Sequence, residues 1–254
     1  MQNIKIFVIS LPDSTERQKS IKTQLDNNFL PFEFITAVDG KKLTGLDIDG
    51  LYDLEKAKKI DRELSPGELG CALSHKNVYK KMVENNIERA IILEDDIILK
   101  PIFYELIKLL TTFPIKNYVI KLERTYYGKN IDNNVKTSHF TPWHRIKLTD
   151  EYFIGQPLSN PTLTWGYYID IKAAVKLLSI MPKVFLVADS WWYYRNFIFL
   201  RMINRAVIEN NEKDFYSIIG DNGLVKTMKL KKNISNSIIR KIYFIFLTFK
   251  LLFS

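Results

Sequence analysis

Apolar positions along the chain alternate between strand-like runs and helical spacing. Residues 5–10 (KIFVIS) are a short apolar run ended by Pro12, which predicts a strand. Asp13 or Ser14 can start a helix that runs to about residue 27. Residues 32–38 (FEFITAV) alternate well enough for a second strand before the turn Asp39-Gly40. Strand, helix and strand at this length predict a right-handed βαβ unit. Residues 41–62 are charged and contain glycine, so a loop with a short helix around 52–59 is expected. Ser65-Pro66-Gly67-Glu68 then combines an N-cap, a proline at the first helical position and a capping box. Its helix should run to about residue 85, with Leu69, Ala72, Leu73, Tyr79 and Val83 on the inward face.

Residues 90–93 (AIIL) are continuously apolar and β-branched, the pattern of a strand buried on both faces. A helix from 101 to 110 and a strand at 118–122 come next. Between 123 and 161 the pattern is lost, as in functional loops or disorder. Residues 162–169 predict a strand, and Asp170 caps a helix through 178. Residues 183–187 read as a short strand, leading to Ala188-Asp189-Ser190 and an aromatic helix from 191 to about 208. The uninterrupted apolar stretch 242–249 is far shorter than the roughly 20 residues that span a bilayer. It fits a basic amphipathic helix lying in a membrane interface; the alternative is a last core helix.

Together these elements predict an α/β fold: a domain over residues 1–225 and a basic, apolar tail over 226–254. A chain of 254 residues can hold one large α/β domain or two small ones. Cys71 is the single cysteine, so no internal disulfide can form, which favours a reducing compartment. The apolar run 4–11 is too short for a signal peptide and stops at Pro12. The net charge of +9 is uneven. Residues 226–254 carry seven Lys/Arg and no acid, leaving 30 basic against 28 acidic side chains elsewhere, a balance of +2. A near-neutral body argues against nucleic acid as a partner, and the tail argues for a local anionic surface such as a membrane.

Candidate chemistry centres on Glu94, Asp95 and Asp96, placed at or just past the end of the 90–93 strand. Open α/β sheets bind ligands at that edge. Adjacent carboxylates between apolar runs need a compensating cation or donors. The plain alternative is an acidic turn in water. A hard divalent ion, Mg²⁺ or Mn²⁺, suits oxygen ligands. His75 lies in the capped helix; His139 and His144 lie in the irregular stretch, and neither of these two has zinc spacing. No dinucleotide fingerprint, phosphate-binding glycine loop or nucleophile elbow occurs. Asp189 ends a short apolar run beside Trp191 and Trp192, an arrangement that suits sugar binding with the carboxylate taking a hydroxyl proton. It could equally cap the following helix.

The ordered set VISLPDSTERQKSI, FITAVDG, ELSPGELGCALSHKNVY, IILEDDIIL, TWGYYIDIKAAVKLL and VADS resembles glycosyltransferase family 25 over roughly residues 1–200. That family comprises bacterial lipooligosaccharide galactosyl- and glucosyltransferases, related to collagen galactosyltransferases. The resemblance implies a GT-A-like fold, a Rossmann-type mixed sheet flanked by helices, with a DxD-type metal motif at Glu94-Asp95-Asp96. The first position of that motif is Glu rather than Asp, which makes Asp96 the firmer metal ligand, with Glu94 beside it.

The activity implied by this resemblance is a metal-dependent transfer of a hexose, galactose first, from a UDP-sugar to a lipooligosaccharide or lipopolysaccharide acceptor, with inversion to a β-linkage. Mn²⁺ (or Mg²⁺) would sit on the donor diphosphate. Asp189 matches the downstream acid and is the implied catalytic base. The donor-side candidates are Ser10, Arg17, Val38, Asp39, Ser74, His75, Glu94 and Asp95. Asp39 would bond ribose or uracil; Arg17 would order that pocket or meet a phosphate. The role of the Ser74-His75 pair, support or donor contact, stays open. Trp165, Trp191 and Trp192 are the acceptor-side candidates. The location implied is cytoplasmic, peripheral on the inner membrane of a Gram-negative bacterium. Rival readings are a non-catalytic nucleotide-sugar-binding protein that docks to membranes, and a carboxylate-metal nuclease, which the near-neutral body disfavours.

Overall fold

Every residue of the first strand except Lys5 is buried, and its neighbours explain why. In the computed structural model, which describes residues 4–123, 125–126, 129–130, 140–141 and 145–211, that strand lies inside an eight-stranded sheet. The expected tail at 226–254, His139 and His144 lie outside the described residues. The first half of the chain runs β1 (Lys5–Ser10), α1 (Thr15–Asp26), β2 (Glu33–Thr36), α2 (Gly45–Leu51), α3 (Leu54–Ile60), α4 (Pro66–Glu84), β3 (Arg89–Glu94), β4 (Ile97–Leu99) and α5 (Ile102–Leu110). It continues with β5 (Tyr118–Lys121), β6 (Thr125–Tyr126), β7 (Lys129–Asn130), β8 (Ile146–Lys147), β9 (Phe153–Gly155), β10 (Gly166–Asp170), α6 (Ile171–Ile180), α7 (Trp191–Tyr194), β11 (Phe199–Ile203) and β12 (Ile208–Asn210).

The main sheet has the order β2-β1-β3-β10-β5-β11-β9-β8. Strands β2, β1 and β3 are parallel, β10 is antiparallel to both β3 and β5, and β11 is parallel to β5. The mixed, helix-flanked sheet expected of a GT-A-like fold is therefore present. Alternate residues of each central strand face opposite cores. Phe7, Ile9, Ile92 and Tyr167 pack with α4 and α6 on one face; Ile6, Val8, Ile91 and Tyr168 pack with α1 and α5 on the other. Helices on both faces leave no strand side for water, which is why these strands are apolar throughout. Each fully buried aliphatic side chain contributes about 1.5–3 kcal/mol.

Chain order places the site. From β1 the chain steps outward to β2, then crosses back through α4 to β3 on the other side of β1. The order therefore reverses between β1 and β3, and ligand crevices open at the carboxyl ends of strands at such a point. Ser10 ends β1, and Glu94 ends β3. Two glycines allow the close approach that holds the end of β2 to α4. A Cβ on Gly70 would overlap the Val38 carbonyl oxygen, and one on Gly40 would overlap that of Pro66.

Several sequence expectations need correction. Val83 is 36% exposed, and Val78 and Met82 take its place in the core. Residues 162–165 precede the strand, which starts at Gly166. Residues 183–187 make only a bridge, Val184 to Tyr52. The aromatic helix expected to 208 stops at Tyr194, and the residues after it form β11 and β12. Strand β11 is buried at all five residues, so its sequence carries no alternation to mark it as a strand. The irregular stretch 123–161 supplies the sheet strands β8 and β9.

Candidate active site

The three acids divide into distinct environments because the chain turns immediately after β3. Asp95 faces β1: Ser10 Oγ donates to its Oδ2 at 2.6 Å, and Arg17 Nη1, from α1, stands 3.3 Å from its Oδ1. Burial pushes the Asp95 carboxyl up, against the opposing pull of Ser10 and Arg17. Asp96 shares the same guanidinium, with Arg17 Nη1 3.1 Å from its Oδ2. Its other oxygen, Oδ1, is buried and has no hydrogen-bond partner among the described residues. The Asp96 backbone carbonyl accepts from Asn211 N–H at 2.8 Å, so the end of β12 closes over the turn.

Glu94 meets α4 and the loop before β10. Thr164 Oγ1 donates to its Oε1 at 2.5 Å. His75 Nε2 stands 3.4 Å from the same oxygen, near enough for an ion pair but outside hydrogen-bond geometry. The far side of the imidazole is fixed: Nδ1 meets Tyr167 OH at 2.8 Å, and Tyr167 OH meets Tyr79 OH at 2.7 Å. Burial raises the Glu94 carboxyl, but the contacts of His75 and Thr164 and the charge of Lys121 outweigh it and hold the group below its ordinary value. Cys71, one turn before His75, completes a group in which thiol, imidazole and Glu94 oxygen lie within 4.8 Å of one another. Burial first, then the charges of Glu94 and Asp189, pushes the Cys71 thiol well up, which keeps it protonated. Sequence reasoning missed this trio, although the Cys-x-x-x-His spacing on a capped helix was its signal.

The buried, partnerless Oδ1 of Asp96 is the kind of donor that a hard divalent cation takes, whereas the Cys71–His75–Glu94 group mixes sulfur, nitrogen and oxygen. Burial, then Glu94, pushes the Asp96 carboxyl up to about 7, with Asp95 adding and Arg17 opposing. Charge on Asp96 is therefore worse tolerated in the folded chain than in the unfolded one. That penalty is absent below the ordinary value of 3.8, grows as pH rises, and is complete above about 7. Asp96→Asn is expected to raise the melting temperature of the metal-free protein by roughly 5 °C above about pH 7, and by little near about pH 4. Melting curves across that range check it; an equal gain at both ends would contradict the assignment.

Ser74 has a supporting role. Its hydroxyl accepts from Val38 N–H at 2.8 Å and donates to the Gly70 carbonyl at 2.6 Å. It thus ties the end of β2 to α4, and Val38 offers its backbone to Ser74. Asp39 caps the next turn through Lys41 N–H at 3.0 Å, with Lys42 Nζ 3.5 Å away. Asp189 is half-buried, and its Oδ2 accepts from Leu163 N–H at 2.9 Å. The N-cap of α7 is Ser190, which makes no side-chain cap bond. Leu163 and Thr164 are adjacent, so one loop contacts both Asp189 and Glu94. Of the three acceptor-side candidates, Trp191 is fully buried and Trp165 is 9% exposed within the second core. Stacking against an acceptor sugar is thus closed to Trp191, and Trp165 is largely covered. Trp192 is half-buried and remains the acceptor-side candidate.

Residues 3–192 match the family model described as glycosyltransferase family 25 (LPS biosynthesis protein). The chain belongs to glycosyltransferase family 25. A protein of Acanthamoeba polyphaga mimivirus named as a glycosyltransferase is 30% identical over 179 residues, covering 68% of this chain and 52% of that protein. Procollagen galactosyltransferase 1 of Danio rerio is 25% identical over 192 residues, covering 74% of this chain and 30% of its own length. A glycosyltransferase 25 family member of Aedes aegypti is 28% identical over 198 residues, covering 72% and 29%. The chain thus spans about half of the viral relative and under a third of the other two. Among solved structures, a glycosyltransferase involved in glycosylation of the major capsid of PBCV-1 overlays 70% of this chain and 64% of its own at 12% identity and a TM-score of 0.35.

In the structure the motif residues fall into two groups. Ser10, Arg17, Asp95 and Asp96 form one hydrogen-bonded unit across the β1–β3 crevice. His75, Glu94 and Thr164 form a second unit on its flank. The matched segment ends at residue 192, just past Asp189.

Proposed function

We propose that this family 25 chain transfers a hexose, galactose first, from a UDP-sugar to a lipooligosaccharide or lipopolysaccharide acceptor, with inversion at the anomeric carbon. The carrying observation is the partly buried acid turn at the carboxyl ends of β1 and β3, with Asp96 Oδ1 buried and left without a partner among the described residues. Asp96 and Glu94 would hold Mn²⁺ or Mg²⁺. Bound there, the ion supplies charge neutralisation for the diphosphate leaving group. Arg17, already fixed by Asp95 and Asp96, offers a cation on the same side. Asp189 takes the proton from the acceptor hydroxyl as its oxygen bonds to the anomeric carbon; the bond to UDP breaks, and its electron pair leaves with the phosphate. The galactosyl preference rests on the name of the Danio rerio relative, and the acceptor on the family description.

The basic tail supports an anionic membrane partner, and a cytoplasmic, inner-membrane location in a Gram-negative bacterium is inferred from the family's description as an LPS biosynthesis protein. Among the described residues, no helix is long and apolar enough to cross a membrane. A screen of UDP-hexoses, each with Mn²⁺, for a rise in melting temperature tests the donor reading. UDP-galactose is expected to give the largest metal-dependent rise. A rise that is the same without metal, or absent for every UDP-hexose, sinks it.

A further inference from the structure

Beneath the acids lies a buried ion pair that the transfer reaction does not use. Lys121, the last residue of β5, and Glu123 are both fully buried, and Lys121 Nζ pairs with Glu123 Oε1. The ammonium also donates to the backbone carbonyl of Leu163 and, at 3.2 Å, to that of Thr162. It stands 4.9 Å from the centre of the Trp191 ring, whose Nε1 donates to the same Leu163 carbonyl at 2.8 Å. Burying two charges is costly, and an apolar pair of similar volume is often at least as stable. Stability alone therefore gives weak reason for a charged pair here. An apolar pair would also leave the Leu163 carbonyl without its ammonium donor.

What these donors hold is specific. Leu163 has φ of +64°, a left-handed conformation that leucine keeps only where its surroundings enforce it. In that conformation its N–H reaches Asp189 Oδ2, the next residue's hydroxyl reaches Glu94 Oε1, and the Trp165 carbonyl accepts from Glu94 N–H at 2.9 Å. Three consecutive residues, Leu163, Thr164 and Trp165, thus set the place of the acid assigned to the acceptor proton and of an acid assigned to the metal. We propose that Lys121, charge-balanced by Glu123 and helped by Trp191, is a positioning residue that locks the 162–165 loop and with it the spacing of Asp189 and Glu94. The catalytic consequence of this lock rests on the proposed transferase function; the lock itself rests on geometry alone.

The test uses the full chain with Lys121→Met and Glu123→Gln together, which removes both charges and leaves neither buried unpaired. Trp191→Phe is the second variant; it removes one donor and keeps most of the packing. Hydrogen exchange is followed across the chain, and UDP-hexose turnover is measured with Mn²⁺. The expected result is faster exchange confined to the segment around 162–165, with β1 and β3 unchanged. Alongside it, kcat should fall about 100-fold while the donor KM moves by less than about threefold. Trp191→Phe should show the same pattern more weakly. Unchanged exchange at 162–165, or an unchanged kcat beside an active wild type, overturns the proposal. If the wild type turns over no UDP-hexose, the transferase function fails, and the exchange data still decide whether Lys121 locks the loop.

Discussion

Asp96→Ala is expected to abolish hexose transfer and metal-dependent UDP binding while leaving the fold intact. The three neighbouring acids are not equivalent, and their partners show why. Both Asp95 oxygens are taken, one by Ser10 and one by Arg17, so that carboxylate organises the crevice. Glu94 gives one oxygen to Thr164 and faces His75. Of the three, Asp96 alone has a buried oxygen with nothing bonded to it among the described residues. Losing a preorganised ligand at a leaving group typically removes about 10³-fold in rate, near 4 kcal/mol. Folding should not suffer, because the alanine removes a carboxylate crowded by Glu94 and Asp95. Turnover, UDP affinity with and without Mn²⁺, and a melting curve check all three parts. Metal-dependent turnover within tenfold of wild type would show that the ion is held elsewhere.

The second large effect is assigned to Asp189. Asp189→Asn keeps an oxygen that can accept from Leu163 N–H, so the 162–165 loop should stay in place. What it loses is the ability to take the acceptor proton. Transfer is expected to fall by roughly 10²–10⁴-fold, the usual contribution of a general base. Donor binding should stay near normal, since the metal-side acids are untouched. Initial rates with saturating donor and acceptor, beside the UDP-induced shift in melting temperature, separate the two effects. Transfer that survives the substitution would remove Asp189 from the base role.

Much of this site was legible in the chain because its signals are local. The Ser65–Glu68 capping box and Pro66 fixed the start of α4, and the structure has both halves of the box. The acids announced themselves because strongly apolar runs flank them, and a carboxylate there needs compensation. Features set by distant partners were not legible. Strand β11 reads as helix because both its faces are buried and no alternation remains. Trp191 and Trp192 are neighbours in sequence, yet only the fold decides that one is covered by the core and the other reaches the surface. Leu163 gives no sign of a positive φ, which glycine or asparagine would have signalled. Lys121 and Glu123 look like ordinary surface charges until β10 and the 162–165 loop are packed over them.

Everything proposed for catalysis depends on the Glu94–Asp96 turn holding a cation that binds the diphosphate of a sugar donor. The most direct measurement is a titration of Mn²⁺ into the protein with and without UDP, followed by the loss of the free-ion magnetic resonance signal, for wild type and Asp96→Ala in parallel. UDP is expected to tighten Mn²⁺ binding to the wild type at one site, and this coupling should vanish in Asp96→Ala. Equal coupling in both proteins, or none in the wild type, would show that the turn does not hold the donor's metal.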